Sequence, residues 1–261
     1  RGLLATPLLR RGMADGDTAA ALRAIKLGAA FTASDLDALT ALQSDFLTTL
    51  VSVSRGNIEV SWTLLHCASY FGRVDAAEHL LVKRADIGAA TKFGLTSLHL
   101  AASNGQVEVI KLLTACRAAL DAKEKNGRTA LHFAAVHGHA GATEALLLAG
   151  ASVSERERSG DGILHSAATG GYEEVAELLL QYRADPVDRR TRSAETPLHR
   201  AAQLGHQAVA NLLLRASREQ GIEGKYLAMA TSKGLTALDV ARRKEQSEVA
   251  NLLEGSSQTL Q

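Results

Sequence analysis

Nine histidines and two cysteines are the residues of this 261-residue chain best suited to holding a metal or moving a proton. Five of them, His66, His99, His132, His165 and His199, recur at intervals of 33, 33, 33 and 34 residues. A zinc site needs about four ligands converging on one point. Spacing this long and this regular puts each histidine in a separate layer. His137 and His139 alternate near a predicted helix end, with His132 one helix away, but no cysteine or acid completes a set. Cys67 directly follows His66, and adjacent helix residues point about 100° apart, so the two do not form a nucleophile–base dyad. Glu173-Glu174 reads as a solvated helix face. No G-x-x-x-x-G-K-[ST] phosphate loop and no G-x-S-x-G elbow occurs. The expectation is a chain that is not an enzyme, with no catalytic residue, no cofactor and no metal.

The regular histidines point to the elements that must hold them. Each ends a phrase of the form T-x-L-H: TLLH at 63–66, TSLH at 96–99, TALH at 129–132, GILH at 162–165 and TPLH at 196–199. A sixth copy, TALD, ends at Asp239 after an interval of 40, so the fifth unit holds about seven extra residues. A pair of alanines follows (Ala101-Ala102, Ala134-Ala135, Ala167-Ala168, Ala201-Ala202), then a glycine at Gly72, Gly105, Gly138, Gly171 or Gly205. An apolar stripe such as Val107, Val109, Ile110, Leu112 and Leu113 closes each unit. Thr can cap a helix by accepting a backbone N–H bond. The alanines allow close helix approach, and the glycine suits a left-handed residue past the helix end. One such helix pair cannot bury its apolar face alone, whereas stacked copies can.

These residues resemble the ankyrin repeat, whose pattern is G-x-T-P-L-H-x-A-A-x-x-G-H-x-x-V-x-x-L-L-x-x-G-A. GLTSLHLAASNGQVEVIKLL (94–113) and GRTALHFAAVHGHAGATEALLLAGA (127–151) follow it closely, and the likeness spans 60–254. It implies an all-α solenoid of stacked helix-turn-helix units with hairpin-like connecting loops. It also implies a structural, hydrogen-bonding role for the five repeat histidines. Departures are Ser61 for the usual Gly, Gly162 for Thr, Pro only at Pro197, and Asp239 for His, which looks like a C-terminal cap variant.

The expected organisation is a tail at 1–13, half a degenerate repeat at 14–31, and an inserted helix with linker at 32–59. Repeats follow at 60–92, 93–125, 126–158, 159–191 and 192–232, the last with the insertion. A capping repeat occupies 233–255 and a tail 256–261. Within 33–53, Ser34 and Asp37 suggest a capping box and Leu36, Leu39, Leu42, Phe46 and Leu50 make one stripe. This helix either caps the stack or docks a partner. The insertion at 215–233 is expected as a lengthened loop, either partner-contacting or passive.

In ankyrin-like stacks the partner usually lies along the concave side, made by hairpin tips and first helices. Register then places Trp62, Lys92, Phe93, Leu95, Lys125, Asn126 and Arg128 on the tips, with Arg158, Asp161, Arg192 and Glu195 on later ones. The first helices contribute Tyr70, Phe71, Ser103, Asn104, Phe133, Val136 and His137, and further along Thr169, Arg200, Gln203 and Leu204. Half of the ten aromatics fall at these positions in the N-terminal half. The C-terminal half is rich in arginine, with Arg156, Arg158, Arg189, Arg190, Arg192 and Arg200. Two readings follow: a groove with an apolar anchor and a basic strip, or aromatics that pad layers beside arginines neutralised by Glu155, Glu157, Asp185 and Asp188.

Bulk properties agree with a binding module. Hydrophobic residues make up 46% and aromatics 4%, with three prolines, which favours helices packed on Ala and Leu. A net charge of +1 argues against nucleic acid, which needs many uncompensated phosphate contacts. Two cysteines fit a reducing compartment, and no run of about 18 apolar residues suggests a transmembrane helix. The expectation is a cytoplasmic scaffold or adaptor whose partner is another protein or complex, with no sign of a homo-oligomer. The competing function is nucleic-acid or acidic-ligand binding through the Arg-rich tips. Residues 1–13, with three arginines and no acid, offer an organelle-targeting remnant as the alternative location. A frayed tail, or sequence ahead of a start at Met13, is the plainer reading.

Overall fold

The T-x-L-H threonines stop the preceding chain in an extended conformation and start a helix. Thr63, Thr96, Thr129, Thr196 and Thr236 all sit at N-caps with β-region backbone. The structure, a computed structural model, describes residues 51–55, 58–189 and 193–258. The chain divides into two units, Arg1–Lys125 and Asn126–Gln261.

In the first unit a two-stranded antiparallel ribbon, β1 (Val51–Arg55) and β2 (Ile58–Trp62), pairs Val53 with Val60. Two repeats follow: α1 (Leu64–Tyr70) with α2 (Val74–Val82), and α3 (Ser97–Ser103) with α4 (Val107–Ala115). First helix packs on first helix, second on second. The expected inserted helix at 33–53 lies outside the described residues up to position 50. Its last stretch is corrected: VSVSR alternates β-branched and polar residues with period two and forms a strand.

The second unit holds α5 (Ala130–Val136) and α6 (Ala140–Leu148), then α7 (Ile163–Gly170) and α8 (Glu173–Gln181). Next come α9 (Pro197–Leu204) and α10 (Gln207–Glu219). A short α11 (Glu223–Leu227) precedes the last pair, α12 (Ala237–Arg243) and α13 (Ser247–Gln258). The alanine pairs of α5, α7 and α9 are fully buried, which is what lets the successive first helices of this unit touch, and the pair of α3 is fully buried in the first unit. The fold is thus an all-α helix-hairpin solenoid, with the ribbon added ahead of α1.

The insertion at 215–233 is not a lengthened loop. Its first part extends α10 to 13 residues, where the second helices before it have nine, and its second part forms α11. Tyr226 of α11 is buried, and its hydroxyl accepts a bond from the Leu198 amide at 3.2 Å. Glu223 is also buried and takes a two-bonded guanidinium from Arg218 at 2.7 and 2.8 Å. The apolar and paired groups of the insertion drive it inward.

The second helices α2, α4, α6, α8 and α10 each run into a left-handed residue. Gly150 and Gly221 fill that position in two repeats, but Arg84, Arg117 and Arg183 fill it in three others, at φ 65°, 62° and 64°. A Cβ makes this conformation cost about 1–2 kcal/mol. Glycine removes the strain but has more freedom to lose on folding. Arg117→Gly is therefore expected to stabilise the fold by about 0.5–1 kcal/mol, read as a higher urea midpoint with an unchanged slope.

Candidate functional site

Among the sequence-derived positions, Phe93 is held most clearly for contact. Thr91 is buried, and its hydroxyl accepts from the amides of Phe93 (3.3 Å) and Leu95 (3.1 Å). The Thr91 amide donates to the Leu95 carbonyl and the Gly94 amide to the Thr91 carbonyl, closing the hairpin. The Phe93 carbonyl accepts from the Lys125 amide at 2.9 Å, tying two tips together. The backbone is fixed while the Phe93 ring stays 37% exposed. Lys92 and Lys125 place their ammonium groups 5.4 and 5.6 Å from its centroid, within cation–π range. Leu95 is half-buried.

Trp62, Tyr70 and Phe71 form a separate half-buried cluster. Trp62 and Tyr70 centroids lie 5.1 Å apart, and Tyr70 meets Phe71 edge-on at 4.9 Å. In the second unit Arg128 lies over the Phe133 ring at 4.6 Å, and Phe133 stacks on His137 at 6.4 Å. The exposed His137 is itself bonded through Nδ1 to the Phe133 carbonyl.

Three of the four described arginines of the strip are occupied. Arg156 pairs with Asp188 and also donates to the Arg189 carbonyl at 2.8 Å. Arg200 lies 3.6 Å from Glu195 and 3.8 Å from Asp161. Arg189 donates to the carbonyls of Ala194 and Ala230, tying its loop to the hairpin before α12. Arg158 is exposed, and its amide donates to the Asn126 carbonyl. Arg190 and Arg192 lie outside the described residues.

The repeat histidines are built into the backbone. In each, Nδ1 accepts the amide N–H of the N-cap residue: Thr63, Thr96, Thr129, Gly162 and Thr196, at 3.0–3.2 Å. Nε2–H of His66, His165 and His199 then donates to the next hairpin, at Leu95, Glu195 and Leu235, each at 3.1 Å. Burial pulls the His66 ring down to about 4 and lowers His199. Asp239 keeps the cap, with Oδ2 accepting from the Thr236 amide and hydroxyl, but has no ring nitrogen to reach onward. Burial pushes the Cys67 thiol up to about 12, which suits packing and not nucleophilic attack.

Register stopped short of one feature. An open cleft of about 450 Å³ lies between the hairpins before α9 and α12 and helix α12 itself. Lys233, Arg243 and Lys244 line it, and Lys233 stands at the tip position that Phe93 holds in the first unit. The T-x-L-H register would have found Lys233 had it been carried into the last repeat.

Among the described residues, no three His, Cys, Asp or Glu side chains are grouped to hold a metal ion. No described helix is long and apolar enough to cross a membrane. A family model described as ankyrin repeats matches the chain in three copies, over residues 64–157, 145–225 and 164–260. No curated protein matches the chain.

Proposed function

Because the chain belongs to the ankyrin-repeat family, we propose that it is a non-catalytic scaffold or adaptor. Ankyrin repeats are generally protein–protein interaction modules and typically lack catalytic activity. The proposed partner is another protein or a larger assembly, held by the hairpin tips and first helices. The observation that supports this best is Phe93, an exposed aromatic on a hydrogen-bonded hairpin between two lysines. Its backbone is already ordered before binding, so the entropy cost of fixing the anchor is reduced. Aromatic anchors are frequent hot spots.

Nucleic-acid binding is the weaker reading. Arg156 and Arg200 already face carboxylates, and Arg189 is spent on carbonyls. The counterion release that drives such binding needs many cations left for phosphates, and these three arginines of the strip are already engaged.

Affinity purification of the full chain from its native source, with mass spectrometry, tests the proposal. Phe93→Ala is expected to weaken capture of the co-purifying protein by about 30-fold, the scale of a hot-spot truncation. Thermal unfolding should barely move, because the ring lies outside the core. Equal recovery with Phe93→Ala, or no reproducible partner, would overturn the reading.

A further inference from the structure

We propose that the cleft between the last two hairpins and α12 binds an acidic peptide segment of the partner. Carboxylates would sit on Lys233, Arg243 and Lys244, with an apolar side chain against Leu235 and Val240. This rests on the scaffold reading and gives it a ligand chemistry. The three cations are exposed, and none is in an ion pair among the described residues. The neighbouring cations differ: Arg242 is paired with Glu254 at 2.8 Å and Arg218 with Glu223. Asp239 feels the charge of Arg243, but its carboxylate is held by Thr236. Glu195, the acid in the wall, faces Arg200 at 3.6 Å. The lining therefore keeps an excess of positive charge.

The walls are set before any ligand arrives. The Ser232 amide donates to the Ser193 carbonyl at 2.8 Å, joining the two tips, and the Lys233 amide donates to the Thr231 hydroxyl at 3.3 Å. The Ser193 hydroxyl oxygen behind this wall is screened from solvent and has no hydrogen-bond partner among the described residues. Leu235 and Val240 are half-exposed in the same lining. A peptide supplies carboxylates, carbonyls and apolar side chains at once. A nucleic acid would want aromatic platforms for its bases, and the lining contains none.

The test uses the full chain and fluorescent peptides of about ten residues, rich in Glu and Asp with interspersed Leu. The comparison peptide replaces every acid by its amide. The acidic peptide is expected to bind at least about tenfold more tightly than its amide analogue, with affinity falling as salt rises. K233Q/R243Q/K244Q should weaken it by about thirtyfold, the sum of three exposed charge pairs, with circular dichroism and thermal unfolding unchanged. Equal binding of the two peptides, wild-type affinity in the triple variant, or no binding at all would overturn the cleft. So would tighter binding of an oligothymidine that the triple variant loses. If the cleft fails while Phe93→Ala still releases a native partner, the scaffold stands without it; if both fail, the scaffold falls as well.

Discussion

Tyr226→Ala is expected to cost the second unit about 3–5 kcal/mol, the range for deleting a fully buried aromatic side chain. The ring is 1% exposed on α11, a helix of five residues that packs on α10 and α13. A helix so short has little stability of its own, so its place depends on what Tyr226 buries. The hydroxyl adds a second role. Leu198 is in the first turn of α9, where backbone N–H groups have no partner inside the helix. The Tyr226 oxygen accepts that N–H at 3.2 Å and also bonds with Thr196, the cap residue of the same helix. Tyr226→Phe should therefore cost about 1–2 kcal/mol, the penalty of an unsatisfied buried donor, although the ring remains. Because repeat stacks sum local stabilities, the loss should concentrate in α11 to α13. Hydrogen exchange read by mass spectrometry should show faster exchange there than in α5 and α6. Uniform acceleration across the unit, or no change in either variant, would count against this account.

Tyr226 also marks where the sequence stops being informative. The repeat histidines, the alanine pairs and the turn glycines are local and periodic, so position alone predicts their roles. Their caps involve residues three apart, and their bridges reach the equivalent carbonyl of the next copy. The insertion breaks the period, and its extra residues, about seven, read as a longer loop. What folds it is a pair of contacts at separations that no pattern specifies, Tyr226 to Leu198 and Arg189 to Ala230. Gly162 is similar. Its departure from Thr is visible in the sequence, but its surroundings are not: the Asp188 carboxylate, paired with Arg156, sits where a Cβ would stand. Arginine enrichment and its neutralisation by Asp188 were legible as one of two readings, whereas the pairing of Arg200 with Asp161 and Glu195 depended on loop geometry. On the tips, register identified Phe93 as a candidate. The two lysines that flank its ring come from successive repeats and meet only in the folded hairpins.

Mild acid is expected to unfold the protein through the histidines that hold it together. Nδ1 of His66 accepts the Thr63 amide at 3.0 Å while Nε2–H donates to Leu95, so the fold requires a neutral ring with its proton on Nε2. A proton on Nδ1 would face the Thr63 N–H directly. Burial reinforces this and holds the ring at about 4, against 6.5 when free. The folded value lies below the unfolded one, so the full stability is present above pH 6.5, where both states are neutral. Between pH 6.5 and about 4 the unfolded chain binds a proton that the folded ring refuses. Stability then falls by about 1.4 kcal/mol per pH unit and His66 alone contributes about 3 kcal/mol. His199 is shifted in the same direction by burial, and steepens the fall over the same side of neutrality. Asp239 behaves oppositely in position, since Thr236 holds its carboxylate low and its contribution is lost only in stronger acid. Urea unfolding at pH 7.5, 6.5, 5.5 and 4.5 should show the decline beginning near 6.5. His66→Asn supplies the control. Its amide oxygen can accept from Thr63 as Asp239 accepts from Thr236, and it carries no titrating proton. The variant should lose about 1 kcal/mol at pH 7.5 for the missing bond to Leu95, and its acid slope should be shallower by about one proton. A flat stability between pH 7.5 and 4.5, or an unchanged slope in His66→Asn, would show that the repeat histidines do not set the acid limit of this fold.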